Sequence, residues 1–189
     1  MPLISTENTV NTQNTENTLY IVKLIVKSNM SIEKAKAHLA LFGLDGRIEE
    51  FSVSSATVAL AAKALGTEEE RIAKTLSFLT SNGAVLVVAA GDARIDNRKF
   101  KDFFHEKAKM MTPDELVDLV GYAAGGVCPF GVNEGVSVYL DKSLLRFDTV
   151  YPAAGTASSA VRLSIKELEA SSGYLEWIDV TKLPETRNE

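Results

Sequence analysis

The stretch Ile72–Ala90, with the sequence IAKTLSFLTSNGAVLVVAA, decides the fold of this chain. Both of its ends are apolar and rich in residues that favour β-strands. Between them stands Ser81-Asn82-Gly83, and an Asn-Gly pair between two apolar runs is a strong signal for a β-hairpin. We therefore predict one strand from Ile72 to Thr80, a second from Ala84 to Ala90, and a tight turn between them.

Helix and strand signals lie on both sides of this hairpin. Helices are assigned from a capping residue followed by apolar residues at helical spacing. The predicted helices run from Ser31 to Gly43, from Ala56 to Leu65 behind a cap at Ser54 or Ser55, from Asp96 to about Phe104, from Thr112 to Val120 and from Ile165 to Ala170. The other predicted strands are Arg47 to Ser52, Val136 to Leu140, Thr149 to Pro152, Val161 to Leu163 and Trp177 to Val180. This order, without a repeat or a linker, predicts a single α+β domain over residues 30–184.

The two ends of the chain differ from this domain in composition. Residues 1–18 are rich in Asn and Thr and have little to bury, which is typical of disordered segments. The apolar run from Leu19 to Val26 fits either an edge strand or sequence upstream of the true start at Met30. We predict that residues 1–29 form a leader outside the domain and that residues 185–189 form a short tail.

Composition limits the classes of function. The chain has 189 residues with a net charge of −5, which argues against a surface that is basic throughout but leaves a local basic face open. Its single cysteine excludes an internal disulfide framework and suits a reducing compartment. No apolar run has the length of a membrane span, and no signal peptide is evident. A cytoplasmic location without membrane association is therefore expected.

A glycine-rich loop, GYAAGGVCPFG at residues 121–131, is the first candidate site. Glycine allows the backbone to approach a ligand closely, and Pro129 restricts its own φ angle. A loop of this kind can direct several N–H groups at one oxyanion or phosphate. A tight turn between a helix and a strand would explain the same composition.

Lys74 is the second candidate. It falls on the same face of its predicted strand as Ile72, Leu76 and Phe78, which is unusual for a surface lysine. One interpretation is a lysine near the strand end that extends its amine to water. The other is a fixed cation in a pocket, suited to a phosphate or a developing oxyanion.

The remaining candidates for chemistry are weaker. His38 and His105 lie in helical contexts and share no metal-ligand spacing with Cys128, so neither a metal site nor another cofactor is predicted. Cys128 lacks a recognisable base and orienting partner, which argues against a nucleophile. No known nucleotide-binding or zinc motif is present.

A basic segment lies between Arg94 and Lys109. It contains the cations Arg94, Arg98, Lys99, Lys101, Lys107 and Lys109. A solvated helix face would explain this pattern equally well, but the segment is the best place in the chain for a phosphate backbone.

Several of these features together resemble one family. Lys74 in IAKTL, Gly91-Asp92, Gly121-Tyr122, the GGVCP loop, Asp141 and Ala154-Gly155 follow the order found in YbaK/EbsC proteins. The resemblance covers roughly residues 31–182. These proteins are trans-editing aminoacyl-tRNA deacylases, akin to the editing domain inserted in bacterial prolyl-tRNA synthetases. The resemblance implies a mixed, partly barrel-like β-sheet with surrounding helices.

The resemblance also assigns site residues. Lys74 matches the family's pocket lysine, and residues 125–129 match its Gly-x-x-x-Pro loop. The implied catalytic residues are Lys74 and Gly125, and the implied substrate-binding residues are Gly126, Val127, Cys128, Pro129, Asp141 and Gly155. The residues after Gly155 lack the Gly and Asp of the cysteine-editing branch, which disfavours a cysteinyl substrate.

The implied activity is hydrolysis of mischarged aminoacyl-tRNA at its 3′ acceptor end, with a small amino acid such as alanine on a proline tRNA. A water molecule would attack the ester directly, helped by Lys74, the loop amides and the neighbouring ribose hydroxyl. The resemblance also allows an aminoacyl-tRNA synthetase as a partner. Two alternatives stay open: a non-catalytic module that binds aminoacyl-tRNA or a synthetase, and a small-molecule hydrolase or sensor unrelated to tRNA.

Overall fold

A six-stranded mixed sheet forms the centre of the structure, a computed structural model that describes residues 31–52 and 57–184. The strands in chain order are β1 (Ile48–Glu50), β2 (Ile72–Thr80), β3 (Gly83–Ala90), β4 (Arg94–Ile95), β5 (Ser137–Asp141), β6 (Thr149–Pro152), β7 (Ser159–Val161), β8 (Leu163–Ser164), β9 (Trp177–Ile178) and β10 (Thr181–Lys182). The helices are α1 (31–40), α2 (Val58–Leu65), α3 (Asn97–Phe104), α4 (Pro113–Glu115, continued by a π-helical turn over Leu116–Val120) and α5 (Ile165–Ser172). Short 3₁₀ turns cover Asp45–Arg47, Glu69–Arg71 and Lys142–Arg146.

The predicted hairpin lies in the middle of the sheet, whose strand order is β8-β6-β2-β3-β5-β9. Strands β2 and β3 are antiparallel, with Thr80 opposite Gly83 and Ala73 opposite Ala90. Parallel pairs join β2 to β6 and β3 to β5. Two smaller antiparallel pairs, β1 with β7 and β4 with β10, complete the α+β fold. The predicted single mixed, partly barrel-like sheet domain is confirmed.

Strand β3 is buried on both faces because helices and loops cover both sides of the sheet. Its residues Leu86 and Val88 pack into the main core, and Val85 and Val87 pack with Phe100 of α3 in a second cluster. The glycine loop contributes Val127, Cys128 and Phe130 to the main core. The loop is therefore held against the sheet along one side.

Most predicted elements are present with small shifts in their ends. Asp96 caps α3, and Thr112 forms a capping box with Glu115 at the start of α4. The cap of α2 differs from the prediction: the side chain of Thr57 accepts the hydrogen bond from Leu60, and the helix begins at Val58. Ser54 and Ser55, the predicted caps, lie outside the described residues, as do the leader 1–29 and the tail 185–189.

The C-terminal strand predicted from Trp177 to Val180 is shorter than expected: β9 ends at Ile178, and a separate strand, β10, begins at Thr181. Strand β9 pairs with β5, and β10 pairs with β4, so the chain changes partner after Ile178. None of the helices in the described parts of the chain is long and apolar enough to cross a membrane.

Candidate active site

A cavity of about 250 Å³ opens beside the first half of β2. Its walls come from β2, α2, the glycine loop, the segment after α3 and the region from β6 to β7. The residues that line it are Thr57, Val58, Ala61, Ile72, Ala73, Lys74, Thr75, Ser77, Met110, Leu116, Ala124, Gly125, Val127, Tyr151, Ala153, Ser159 and Ala160. The lining is mainly apolar with a few polar groups, which is typical of sites for small ligands.

Lys74 is held firmly at the wall of this cavity. Its Nζ donates a hydrogen bond to the carbonyl oxygen of Gly91 at 2.9 Å and another to that of Ala93. Burial lowers the pKa of Lys74, and the negative charge of Asp92 partly opposes that effect. An ammonium has three N–H donors, so two carbonyl partners leave one donor for a ligand.

The turn that holds Lys74 is itself anchored by Arg146. The guanidinium of Arg146 donates two hydrogen bonds to the carboxylate of Asp92, at 3.0 and 2.5 Å. It also lies over the ring of Phe147, 4.8 Å from the centroid. At Gly91 a Cβ atom would lie 1.9 Å from the carbonyl oxygen of Glu69, so only glycine fits there. These contacts fix the carbonyls that orient the lysine.

The glycine loop brings Gly125 and Val127 to the same cavity as Lys74. Gly125 has a φ of 87°, a conformation that favours glycine. The N–H of Gly126 donates to the carbonyl oxygen of Ala123 at 3.1 Å and closes a turn within the loop. The loop residues that line the cavity are Ala124, Gly125 and Val127, and none of their N–H groups has a hydrogen-bond partner within the described residues.

Gly126 and Gly155 form the contact between the loop and the turn after β6. A Cβ at Gly126 would lie 2.5 Å from the carbonyl oxygen of Gly155, and one at Gly155 would lie 2.5 Å from that of Ser31. Three backbone segments are therefore stacked with no side chain between them. Gly155 does not line the cavity but supports the loop that does.

Cys128 and Pro129, in the second half of the loop, are buried and do not line the cavity. The Sγ of Cys128 lies 3.9 Å from the carbonyl oxygen of Phe130, which also accepts a hydrogen bond from the hydroxyl of Tyr122 at 2.5 Å. Burial raises the pKa of the Cys128 thiol to about 11. The thiol is therefore protonated at neutral pH, which disfavours it as a nucleophile.

Asp141, which the family resemblance marks as a substrate-binding residue, lies away from the cavity. It is completely buried, and its carboxylate accepts hydrogen bonds from the N–H groups of Ser143 and Val180 and from the hydroxyl of Thr181. These bonds join β5 to the C-terminal strands. We infer a structural role for this carboxylate and do not include it in the site proposed below.

Thr75 and Ser77 were not singled out by the sequence, yet both line the cavity. The buried hydroxyl oxygen of Thr75 has no hydrogen-bond partner among the described residues. The cavity takes Ile72 and Lys74 from one face of β2 and Ala73, Thr75 and Ser77 from the other. The sequence predicts that side chains on either side of Lys74 alternate between the two faces of the strand. That alternation does not show which face borders a cavity.

The two histidines lie outside this site. The Nε2 of His38 lies 2.7 Å from the carbonyl oxygen of Ser171, and His105 ends α3 with a φ of 61°. Neither residue lines the cavity. No group of three or more His, Cys, Asp or Glu side chains suited to a metal ion occurs in residues 31–52 and 57–184.

Comparison with known proteins identifies the family. The family model described as the aminoacyl-tRNA editing domain matches residues 53–170. The chain belongs to this family, which confirms the resemblance recognised in the sequence.

The chain is also similar to individual proteins. The chain is 46% identical over 154 residues to the uncharacterized protein YwhH of Bacillus subtilis (strain 168), a match that covers 81% of this chain and 98% of that protein. It is 30% identical over 81 residues to the proline–tRNA ligase of the same organism, covering 42% of this chain and 14% of the ligase. Among solved structures, the chain is similar to the crystal structure of a proposed trans-editing enzyme for prolyl tRNA synthetase. The two superpose with a TM-score of 0.73 at 33% sequence identity, and the match covers 80% of this chain and 97% of that one.

Proposed function

We propose that this protein hydrolyses the ester bond of mischarged aminoacyl-tRNA, with a small non-cognate amino acid such as alanine on a proline tRNA as its substrate. The observation that carries the proposal is that Lys74 and the free amides of Gly125 and Val127 border one cavity. Family membership supports tRNA editing in general. The region shared with proline–tRNA ligase supports the choice of tRNA.

The reaction needs no nucleophile from the protein. A water molecule attacks the ester carbonyl, the carbonyl oxygen becomes an oxyanion, and the bond to the ribose oxygen then breaks. The ribose oxygen takes a proton and leaves as the hydroxyl of the tRNA. The neighbouring ribose hydroxyl orients the water.

The protein stabilises the charge that develops in this reaction. The remaining N–H donor of Lys74 and the amides of Gly125 and Val127 are fixed before the substrate arrives, so they need not reorganise. Removal of one such donor commonly costs about 10²–10³ in rate. The size of the cavity selects the amino acid. A difference of one methylene group between two amino acids changes their relative transition-state binding by only about 1–3 kcal/mol.

A protein with this function acts on aminoacyl-tRNA in the cytoplasm. It contributes to the fidelity of translation. An aminoacyl-tRNA synthetase that releases the mischarged tRNA is the natural protein partner. The similarity to part of a proline–tRNA ligase favours the synthetase for proline.

The test is single-turnover deacylation over a panel of mischarged tRNAs with the wild type and Lys74→Ala. We expect fastest hydrolysis of alanine on the proline tRNA and a loss of roughly 10²–10³ in rate for the variant. Because Lys74 also donates to two carbonyls, the substitution lowers thermal stability as well. Val88→Ala, a buried change outside the cavity, is the control for lost stability and should retain deacylation.

Two outcomes would overturn the proposal. Tight binding of aminoacyl-tRNA without turnover in any pairing would favour the non-catalytic module. Hydrolysis of free aminoacyl esters with no preference for tRNA, and with little dependence on salt, would favour a small-molecule hydrolase.

A further inference from the structure

We propose that residues 107–110, called the lip here, bind the phosphate backbone of the tRNA acceptor end, an inference that rests on the proposed function. The lip borders the candidate active site because Met110 lines the cavity. It carries Lys107 and Lys109, both exposed. A polyanion whose terminal ester enters the cavity would pass these two cations.

The lip is held at a defined position along the part of the β2 edge that β6 leaves unpaired. Strand β6 pairs with β2 only at Ile72 and Ala73, so the rest of that edge is open to another segment. The N–H of Leu79 donates to the carbonyl oxygen of Lys109 at 2.9 Å, and Met110 forms a bridge with Phe78. These bonds keep the lip against the strand that carries Lys74.

The charges of the lip are available to a ligand, unlike those of two other cations in the same basic segment. Lys99 binds Asp179 at 2.7 Å, and Arg98 lies 3.9 Å from Asp102. The side chains of Lys107 and Lys109, in contrast, form no hydrogen bond or ion pair within the described parts of the chain.

Two carboxylates lie near the lip, and both have other partners. Glu106 accepts hydrogen bonds from the N–H and the hydroxyl of Ser81. Glu115, whose pKa the charge of Lys109 helps to lower, accepts from the N–H of Thr112 in the capping box. Neither carboxylate forms an ion pair with the lip lysines, so both ammonium groups can contact a ligand, although Glu115 is close enough to feel the charge of Lys109.

The chemistry of the lip fits nucleic acid better than protein. The chain has a net charge of −5, so two exposed lysines without an ion pair beside the cavity form a local exception. Met110 between them and the cavity is 59% exposed, and its thioether offers a flexible apolar contact for a base. Cations that follow the phosphate backbone are a usual element of single-strand recognition.

The experiment measures binding of a deacylated acceptor-stem minihelix ending in CCA, by fluorescence anisotropy across a salt series. The test variant is Lys107→Gln/Lys109→Gln. The matched control is Lys142→Gln/Lys166→Gln, which removes the same charge from exposed lysines that do not line the cavity. We expect the lip variant to bind roughly tenfold more weakly at low salt and to reduce the log–log salt slope by about one to two. The control should match the wild type, and thermal melts of both should be unchanged.

This experiment distinguishes a failure of the proposed tRNA binding by the lip from a failure of the proposed deacylation. Equal affinity and salt slope for the lip variant, the control and the wild type would overturn the inference, and would leave a protein as the better candidate partner of the lip. Absence of salt-dependent minihelix binding by the wild type would overturn it as well. Loss of the proposed function would appear instead as absent deacylation while the lip variant still weakens minihelix binding.

Discussion

Gly126 and Gly155 touch through their backbones, and a Cβ atom at Gly126 would lie 2.5 Å from the carbonyl oxygen of Gly155. The next nearest atoms, the carbonyl carbon of Gly155 and the Cα of Thr156, would both lie at 2.7 Å. All three belong to the backbone, so no side chain can rotate away. This contact sets the distance between the glycine loop and the turn after β6, and therefore the position of Gly125 and Val127 at the cavity.

We expect Gly126→Ala to impair both stability and deacylation. The added methyl group must push the loop away from Gly155, at a cost of about 1–3 kcal/mol for an overpacked site. Thermal melts and single-turnover hydrolysis measure the two effects. Gly46→Ala is the control, because a Cβ there has no atom within 4 Å. Wild-type behaviour of Gly126→Ala in both assays would show that the loop moves without consequence.

The pH dependence of deacylation should report the charge on Lys74. Burial lowers the pKa of this amine below its ordinary value of 10.5, so its positive charge is lost at a lower pH than usual as pH rises. Asp92 raises the pKa, so Asp92→Asn should move the alkaline decline in rate to lower pH. The measurement is a pH–rate profile corrected for spontaneous ester hydrolysis.

The control for this profile is Asp148→Asn, which removes the same charge from an exposed position outside the cavity. It should leave the alkaline limb where the wild type has it. If the Asp92→Asn limb coincides with both, Lys74 is not the group whose charge limits the rate.

Thr75→Val should separate a binding role from a structural one. The buried hydroxyl of Thr75 has no partner among the described residues, so its removal by a side chain of similar shape should leave stability unchanged or raise it. If the hydroxyl contacts the substrate, deacylation should slow by roughly tenfold, the effect of about 1.4 kcal/mol. Thermal melts and single-turnover rates test both parts. An unchanged rate would remove Thr75 from the site.

Cys128→Ser should retain most of the activity. Burial raises the pKa of the thiol to about 11, so nearly all of it is protonated at pH 7.5. Serine can donate to the carbonyl oxygen of Phe130 as the thiol does. Slow alkylation of the native protein by iodoacetamide, together with an active serine variant, is the expected result. A covalent acyl-enzyme trapped on the wild type, and an inactive Cys128→Ser, would make the thiol the nucleophile.

Local signals in the sequence determined the elements from which the fold is built. The turn at Ser81-Asn82-Gly83, the cap at Asp96 and the capping box at Thr112 all involve groups within a few residues of one another. Interactions of that range depend on which side chains follow each other in the chain, so they can be read from the sequence. The residue pattern singled out Lys74 and the glycine loop, the family resemblance assigned them roles, and both border the cavity.

Only the tertiary structure decided how these pieces meet. The two carbonyls that hold Lys74 lie 17 and 19 residues further along the chain. The carboxylate of Asp141 accepts hydrogen bonds from Val180 and Thr181, which are 39 and 40 residues away. Backbone carbonyls and amides are present at every position, so composition does not show which of them a side chain will reach. For the same reason, the free edge of β2 that holds residues 107–110 and the orphan hydroxyl of Thr75 became visible only once the strands were paired.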